Sequence, residues 1–167
     1  MTAVQAIEKN GEAEAKKEEF IQIVSFVVGK EEFGVDILKV SEINRSVEVT
    51  RVPNTPEYIE GVINLRGKVI PIIDLRKRFG MPWKDHDKNT RIIVVQLEGR
   101  VVGFVVDAVR QVLRISKSIL EPPPSIIASI ESDYITAVGK LDERLLILLD
   151  LDKVLSIKEK GDLKTVV

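Results

Sequence analysis

The sequence predicts a mainly β protein of two small five-stranded barrels, derived from an internal duplication, with a few short helices. Three observations predict it. Short runs of Val, Ile and Leu recur at close spacing, separated by brief turns carrying Gly or Asp. The two halves also run in parallel: Phe33-Gly34-Val35-Asp36 is answered 71 residues later by Phe104-Val105-Val106-Asp107, and Ile70 to Leu75 is answered 76 residues later by Leu146 to Leu151. Finally, the chain is 44% hydrophobic but only 5% aromatic, so its core is aliphatic. Closing each set of strands into a barrel disposes of exposed edges. Half of 167 residues buries little core alone, so a third apolar cluster is expected where the two modules meet.

Residues 1–19 are rich in Ala, Glu and Lys and have too few apolar positions to anchor them. They predict a flexible arm, with order beginning near Phe20. Ile21–Val28 and Glu32–Val35 form a hairpin about Gly29-Lys30. Asp36–Asn44 fits a helical face about as well as a strand; its β-branched content favours a turn followed by a strand. Val47–Val52 alternates as a short strand. Pro53–Glu60 reads as a turn and a short helix, with Asn54 or Thr55 as cap and Pro56 in the first helical position.

Gly61–Gly80 holds the clearest pattern. Val62–Leu65 and Val69–Ile73 flank Arg66-Gly67-Lys68 as a hairpin, and Gly67 supplies the positive φ that a tight reversal needs. Pro71 has no N–H for a ladder, so its strand should be an edge or bulged at that residue. Asp74 is the N-cap of a one- or two-turn helix that Gly80 ends. Met81–Thr90 is the polar break, dividing a first barrel (20–85) from a second (86–156).

Arg91–Leu97 and Val101–Val106 make the next hairpin, and Val109–Ile115 continues as a strand. Ser116–Ser125, with Pro122-Pro123-Pro124, reads as a stiff connector. Tyr134–Lys140 and Arg144–Leu149 form the last hairpin, and Asp150 caps a final short helix, Leu151–Ser156. The tail, 157–167, is polar.

The totals exclude several functions. The 25 basic and 26 acidic residues leave a formal charge of −1, which argues against nucleic acid as partner. Absence of Cys excludes disulfides and thiolate chemistry. No apolar run approaches the ~20 residues of a membrane helix and the first residues are charged, so neither span nor leader is expected and the cytoplasm is the default compartment. The sole histidine, His86, lies between Asp85 and Asp87 in the central loop; adjacent residues rarely converge on one ion, so it reads as a surface residue and not a metal ligand. The glycines are not spaced as a phosphate loop. The paired acids, Asp36 with Asp107 and Asp74 with Asp150, recur at equal places in the repeat and read as caps or turns. No catalytic set and no cofactor site emerges.

What remains is an interaction protein. Arg66 carries a planar, multi-donor group that a turn does not require; it is either a solvated side chain or a contact for a partner's carboxylate or carbonyls. Val40 and Glu42 share one side of their strand, either as a mixed apolar–acidic patch or as a core residue beside a solvated one.

The run from Asn54 to Arg76 follows N-x-P-x-[YF]-I-x-G-V-[IT]-N-L-R-G-x-[VI]-[IV]-P-[IV]-[IV]-D-L-R. With Val101-Val102-Gly103-Phe104-Val105-Val106-Asp107-Ala108-Val109, it resembles the CheW family of chemotaxis coupling proteins, over about Phe20 to Ser156. The resemblance implies two SH3-like five-stranded barrels and an adaptor without catalytic activity. It implies that such an adaptor bridges the cytoplasmic tips of membrane chemoreceptors and the regulatory domain of the histidine kinase CheA, in arrays at the inner face of the membrane and in rings with itself or the kinase. Receptor-contact positions carry over onto Val40, Glu42, Arg66 and Val112, with Gly61 and Gly67 shaping that neighbourhood. One further contact position, usually aliphatic, is Arg91 here. The same module opens CheV-type adaptors, which continue into a receiver domain, and forms the kinase's regulatory domain; a chain ending at Val167 after a free charged start favours the standalone adaptor. In a different class, a small β-barrel binding RNA would need basic–aromatic interleaving, which is missing.

Overall fold

The structure, a computed structural model, describes residues 18–45, 48–124, 133–155 and Glu159. The flexible arm expected for 1–19 and the polar tail lie almost wholly outside these residues. Among the described residues there are eleven strands: β1 (Phe20–Val28), β2 (Glu31–Asp36), β3 (Val40–Arg45), β4 (Ile59–Leu65), β5 (Lys68–Asp74), β6 (Arg91–Leu97), β7 (Arg100–Val106), β8 (Ala108–Ser116), β9 (Leu120–Glu121), β10 (Ile135–Leu141) and β11 (Arg144–Leu149). The helices are short, α1 (Leu75–Arg78) and α2 (Leu151–Val154).

Each predicted hairpin forms, and the turns show why. The tips Arg66-Gly67 and Glu98-Gly99 place both residues at positive φ, 50° and 82° in the first and 48° and 79° in the second. That is the geometry whose twist matches flanking strands, and one glycine in each pair relieves half of its strain.

The strands form two sheets, a six-stranded β8-β1-β2-β11-β10-β9 and a five-stranded β3-β6-β7-β5-β4. They do not divide at the polar break. Each half lends its first hairpin to the other half's sheet: β1–β2 pairs through β11, and β6–β7 through β5, both in parallel. The strand after each hairpin then crosses to pair with the first strand of the other hairpin, β3 with β6 and β8 with β1. The contiguous barrels expected for 20–85 and 86–156 therefore give way to an interleaved pair. The duplication survives the exchange as a pseudo-symmetry.

Three readings are corrected by this topology. Val47–Val52 is no strand within the described residues: only Thr50 pairs, as an isolated bridge to Val62, where β9 pairs with β10 in the other sheet. Pro53–Glu60 forms no helix; the Ile59 N–H donates to the Pro56 carbonyl in a turn, 3.0 Å, and β4 begins at once. Pro71 sits neither on an edge strand nor in a bulge. Strand β5 joins β7 only from Ile72 onward, so the missing N–H falls where β5 has no neighbour on that side. The connector after Ser116 also contains a 3-10 turn, Lys117–Ile119, and β9.

Among the described residues three apolar clusters hold the fold, and the largest of them is the junction cluster the sequence calls for. It takes Val24, Phe26, Phe33 and Leu149 from one sheet and Ile73, Ile93, Phe104 and Val106 from the other, with Leu75 and Leu151 from the helices. Two smaller clusters belong to single sheets, around Ile70, Ile72 and Ile92 and around Ile23, Leu146 and Leu148. Asp74 and Asp150 cap their helices, accepting from the Arg76 and Asp152 N–H groups, and Asp36 caps a 3-10 turn through the Leu38 N–H. Asp107, expected as a cap or turn residue, caps no helix. It accepts from the Gly29 N–H at 2.8 Å and from Arg76 Nε at 2.9 Å, and so ties the first hairpin to α1.

Candidate interaction surface

Strand β3 is one edge of the five-stranded sheet and β4 is the other. Glu42 lies on β3 and Arg66 on the hairpin that ends β4, yet their carboxylate and guanidinium form an ion pair. Two opposite edges meet only when a sheet rolls up, so this pair closes the seam of a barrel. The seam stays open to solvent: the Arg66 side chain is 73% exposed and that of Glu42 24%. Hydrogen bonds from Arg66 and then from Asn44 hold the Glu42 carboxyl below the usual carboxylate range.

Arg66 owes its position to its neighbours. Asn64 Oδ1 accepts from the Gly67 N–H at 3.0 Å and locks the tip. Gly61 shapes the base of the same hairpin. A Cβ there would stand 2.2 Å from the Thr50 carbonyl oxygen, so only glycine allows the Thr50–Val62 bridge. Val40 precedes Glu42 on β3, with a bulge between them; it is half-buried and packs against the shared core. Val112 stands apart from these three. It lies on β8, the edge of the other sheet, opposite Val24, and is 52% exposed. The geometry thus joins Glu42 to Arg66, seats Val40 beside them as a partly core residue, and places Val112 on a second sheet.

Arg91 is occupied locally. Its Nη1 donates to the Lys88 and Thr90 carbonyls, at 2.9 and 2.8 Å, so the guanidinium closes its own loop. His86 is less exposed than a surface loop implies, since its Nε2 lies 2.8 Å from Glu60 Oε1. Burial pushes the Glu60 carboxyl up and His86 draws it partly back. Among the described residues no group of three or more His, Cys, Asp or Glu is placed to hold a metal ion. Sequence reasoning missed Asn64, which an Asx residue three before a turn glycine signals, and Leu38, almost fully exposed beside Val40. The ambiguous period of Asp36–Asn44 gave no sign of Leu38.

A model of the CheW-like domain matches residues 22–159. The chain belongs to this family. It is 46% identical over 138 residues to chemotaxis protein CheW of Klebsiella aerogenes, covering 83% of each protein. It is 34% identical over 145 residues to chemotaxis protein CheW of Helicobacter pylori, covering 87% of each. Among solved structures it is similar to the scaffolding protein TtCheW of Thermoanaerobacter tengcongensis, with a TM-score of 0.77 and 39% identity over 84% of this chain and 96% of that one. The family match takes in strands of both sheets, the Glu42–Arg66 seam and β8.

Proposed function

We propose that the protein is a non-catalytic scaffold of bacterial chemotaxis, binding chemoreceptor cytoplasmic tips and the regulatory domain of the histidine kinase CheA together. Membership of the CheW-like family and the relatives' role as chemotaxis proteins support this reading. The observation that carries it is the exposed Arg66–Glu42 seam. Arg66 is held at a positive φ on a hairpin tip, a turn that does not itself need a guanidinium, and its side chain is largely exposed. Val40 and Val112 supply apolar contact to the face of a receptor helix, while Arg66 and Glu42 fix its register. Gly61 and Gly67 shape the hairpin that presents Arg66. Holding receptor and kinase at once raises their mutual effective concentration, so receptor state is transmitted through a shared interface. The protein then works in the cytoplasm, recruited to receptor arrays, with rings of adaptor and kinase as the higher assembly. The test is capture of a receptor tip fragment and of the CheA regulatory domain, separately and together. Arg66→Ala is expected to lose the receptor while keeping its melting temperature. Undiminished receptor capture by that variant would overturn the assignment.

A further inference from the structure

The six-stranded sheet buries an acid that its duplicate does without. Glu32, on β2, is 8% exposed. Its Oε2 accepts a hydrogen bond from the Ser25 hydroxyl on β1, 2.8 Å away. Its Oε1 faces two arginines, with Nε of Arg144 on β11 at 3.3 Å and Nε of Arg110 on β8 at 3.7 Å. The four side chains come from successive neighbours, β8-β1-β2-β11, and form a polar row across the sheet. In the other copy of the repeat the residue before the matched phenylalanine is Gly103, where a Cβ would meet Ile72 and Ile92 within 3 Å. At that position the other sheet is packed by apolar side chains. Burying a carboxylate is unfavourable unless cations attend it, so Glu32 is not a device the fold requires.

Its effect is to hold two guanidinium groups together. Both Nε atoms approach the same oxygen, so they are no farther apart than the sum of those two distances. Arg110 is also the residue that the β8 bulge leaves without a partner on β1, since Ser25 pairs with Gln111 and Phe26 with Val109. Bulges re-aim the side chain they carry. The two arginine side chains are 57% and 44% exposed, and neither donates a hydrogen bond to another described residue. The adjacent acids Glu31 and Glu143 form no ion pair with them. One buried acid against two guanidiniums leaves one positive charge facing solvent, with forked donors free to bind a carboxylate.

We infer that Arg110 and Arg144 form a receiving site for an acidic side chain of a protein partner, with Glu32 as the positioning residue. The site lies on an open face reaching an edge strand. Neither the cavity under Ile21, Gly34 and Leu148 nor the notch between Val69 and Val101 includes these residues. A small free anion on an open face is held only by screened charge. An acid delivered on a protein surface brings further contacts with it.

The test follows the arginine Nε–Hε resonances of the full chain by NMR during titration with a hexaglutamate peptide, a hexaglutamine peptide and inorganic phosphate. Hexaglutamate is expected to shift the Arg110 and Arg144 signals saturably. Arg110→Gln and Arg144→Gln, each leaving Glu32 one cation, are expected to weaken binding at least tenfold while retaining the native amide spectrum. Equal shifts with hexaglutamine, equal binding of phosphate at matched charge, or an unchanged titration in both variants would each overturn the site.

Discussion

Gly61 and Gly67 stand in one hairpin but are glycine for different reasons. At position 61 a side chain would strike the Thr50 carbonyl, which is pinned because it accepts from the Val62 N–H at 2.8 Å. Gly61→Ala is expected to remove about 3 kcal/mol of stability in urea unfolding, or to prevent folding. At position 67 nothing lies within 4 Å, and only the φ of 82° resists a side chain; Gly67→Ala should cost about 1 kcal/mol. Equal losses would contradict the separation drawn here. Glu60 gives a second prediction at this scale. Burial raises its carboxyl pKa, with Asp74 adding to the rise and His86 opposing it. The folded state therefore binds this proton more tightly than the unfolded chain does. Stability is lost as pH climbs from the ordinary carboxylate value through the raised one, and is regained on acidification. Glu60→Gln is expected to melt higher than the parent at pH 7, with the gap closing toward pH 4. Melting curves at the two pH values decide it, and a gap that widened in acid would refute the sign.

The caps and ties separate at the scale of the element. Asp74→Ala and Asp150→Ala each remove one cap from a short helix and should cost about 1 kcal/mol. Asp107→Ala is expected to cost more, about 2–3 kcal/mol by denaturant unfolding, because it removes together the acceptor of the Gly29 N–H and that of the Arg76 Nε–H, whose Nη1 keeps the Pro82 carbonyl. The hairpins were legible because their information is local: β-branched runs on either side of a residue pair that accepts positive φ. The segment before β4 was not. Asn54, Thr55 and Pro56 are good helix-start residues, but Ile59 pairs with Ile73 and Val62 bridges to Thr50, so distant pairing overrides local preference. Pro71 misled for a similar reason. It marks a locally unpaired stretch of an inner strand, and only the register of β5 against β7 reveals that stretch. The site was half legible. Arg66 stood out as a guanidinium without a turn function, and Glu42 as an acid sharing one side of an alternating strand with Val40. Their contact depends on the curl that brings edges β3 and β4 together, which no local pattern encodes.

For the whole molecule, the exchange of hairpins decides how the chain folds. The repeat suggests two contiguous modules that meet at a shared cluster, but β1–β2 completes the sheet of the second half and β6–β7 that of the first. The largest core cluster draws on both halves, so neither half alone covers its apolar faces. The full chain is therefore expected to unfold in one cooperative step, with coincident tryptophan fluorescence and far-UV circular dichroism transitions. Trp83 lies in the central loop and β-strand signal comes from both sheets, so the two probes report on different parts. Fragments 20–85 and 86–156, made separately, should lack dispersed amide spectra and regain them on mixing, as each receives its missing hairpin. A fragment that folded alone would show that its half closes a barrel with its own strands, and the interleaved topology would not then be what holds the protein together.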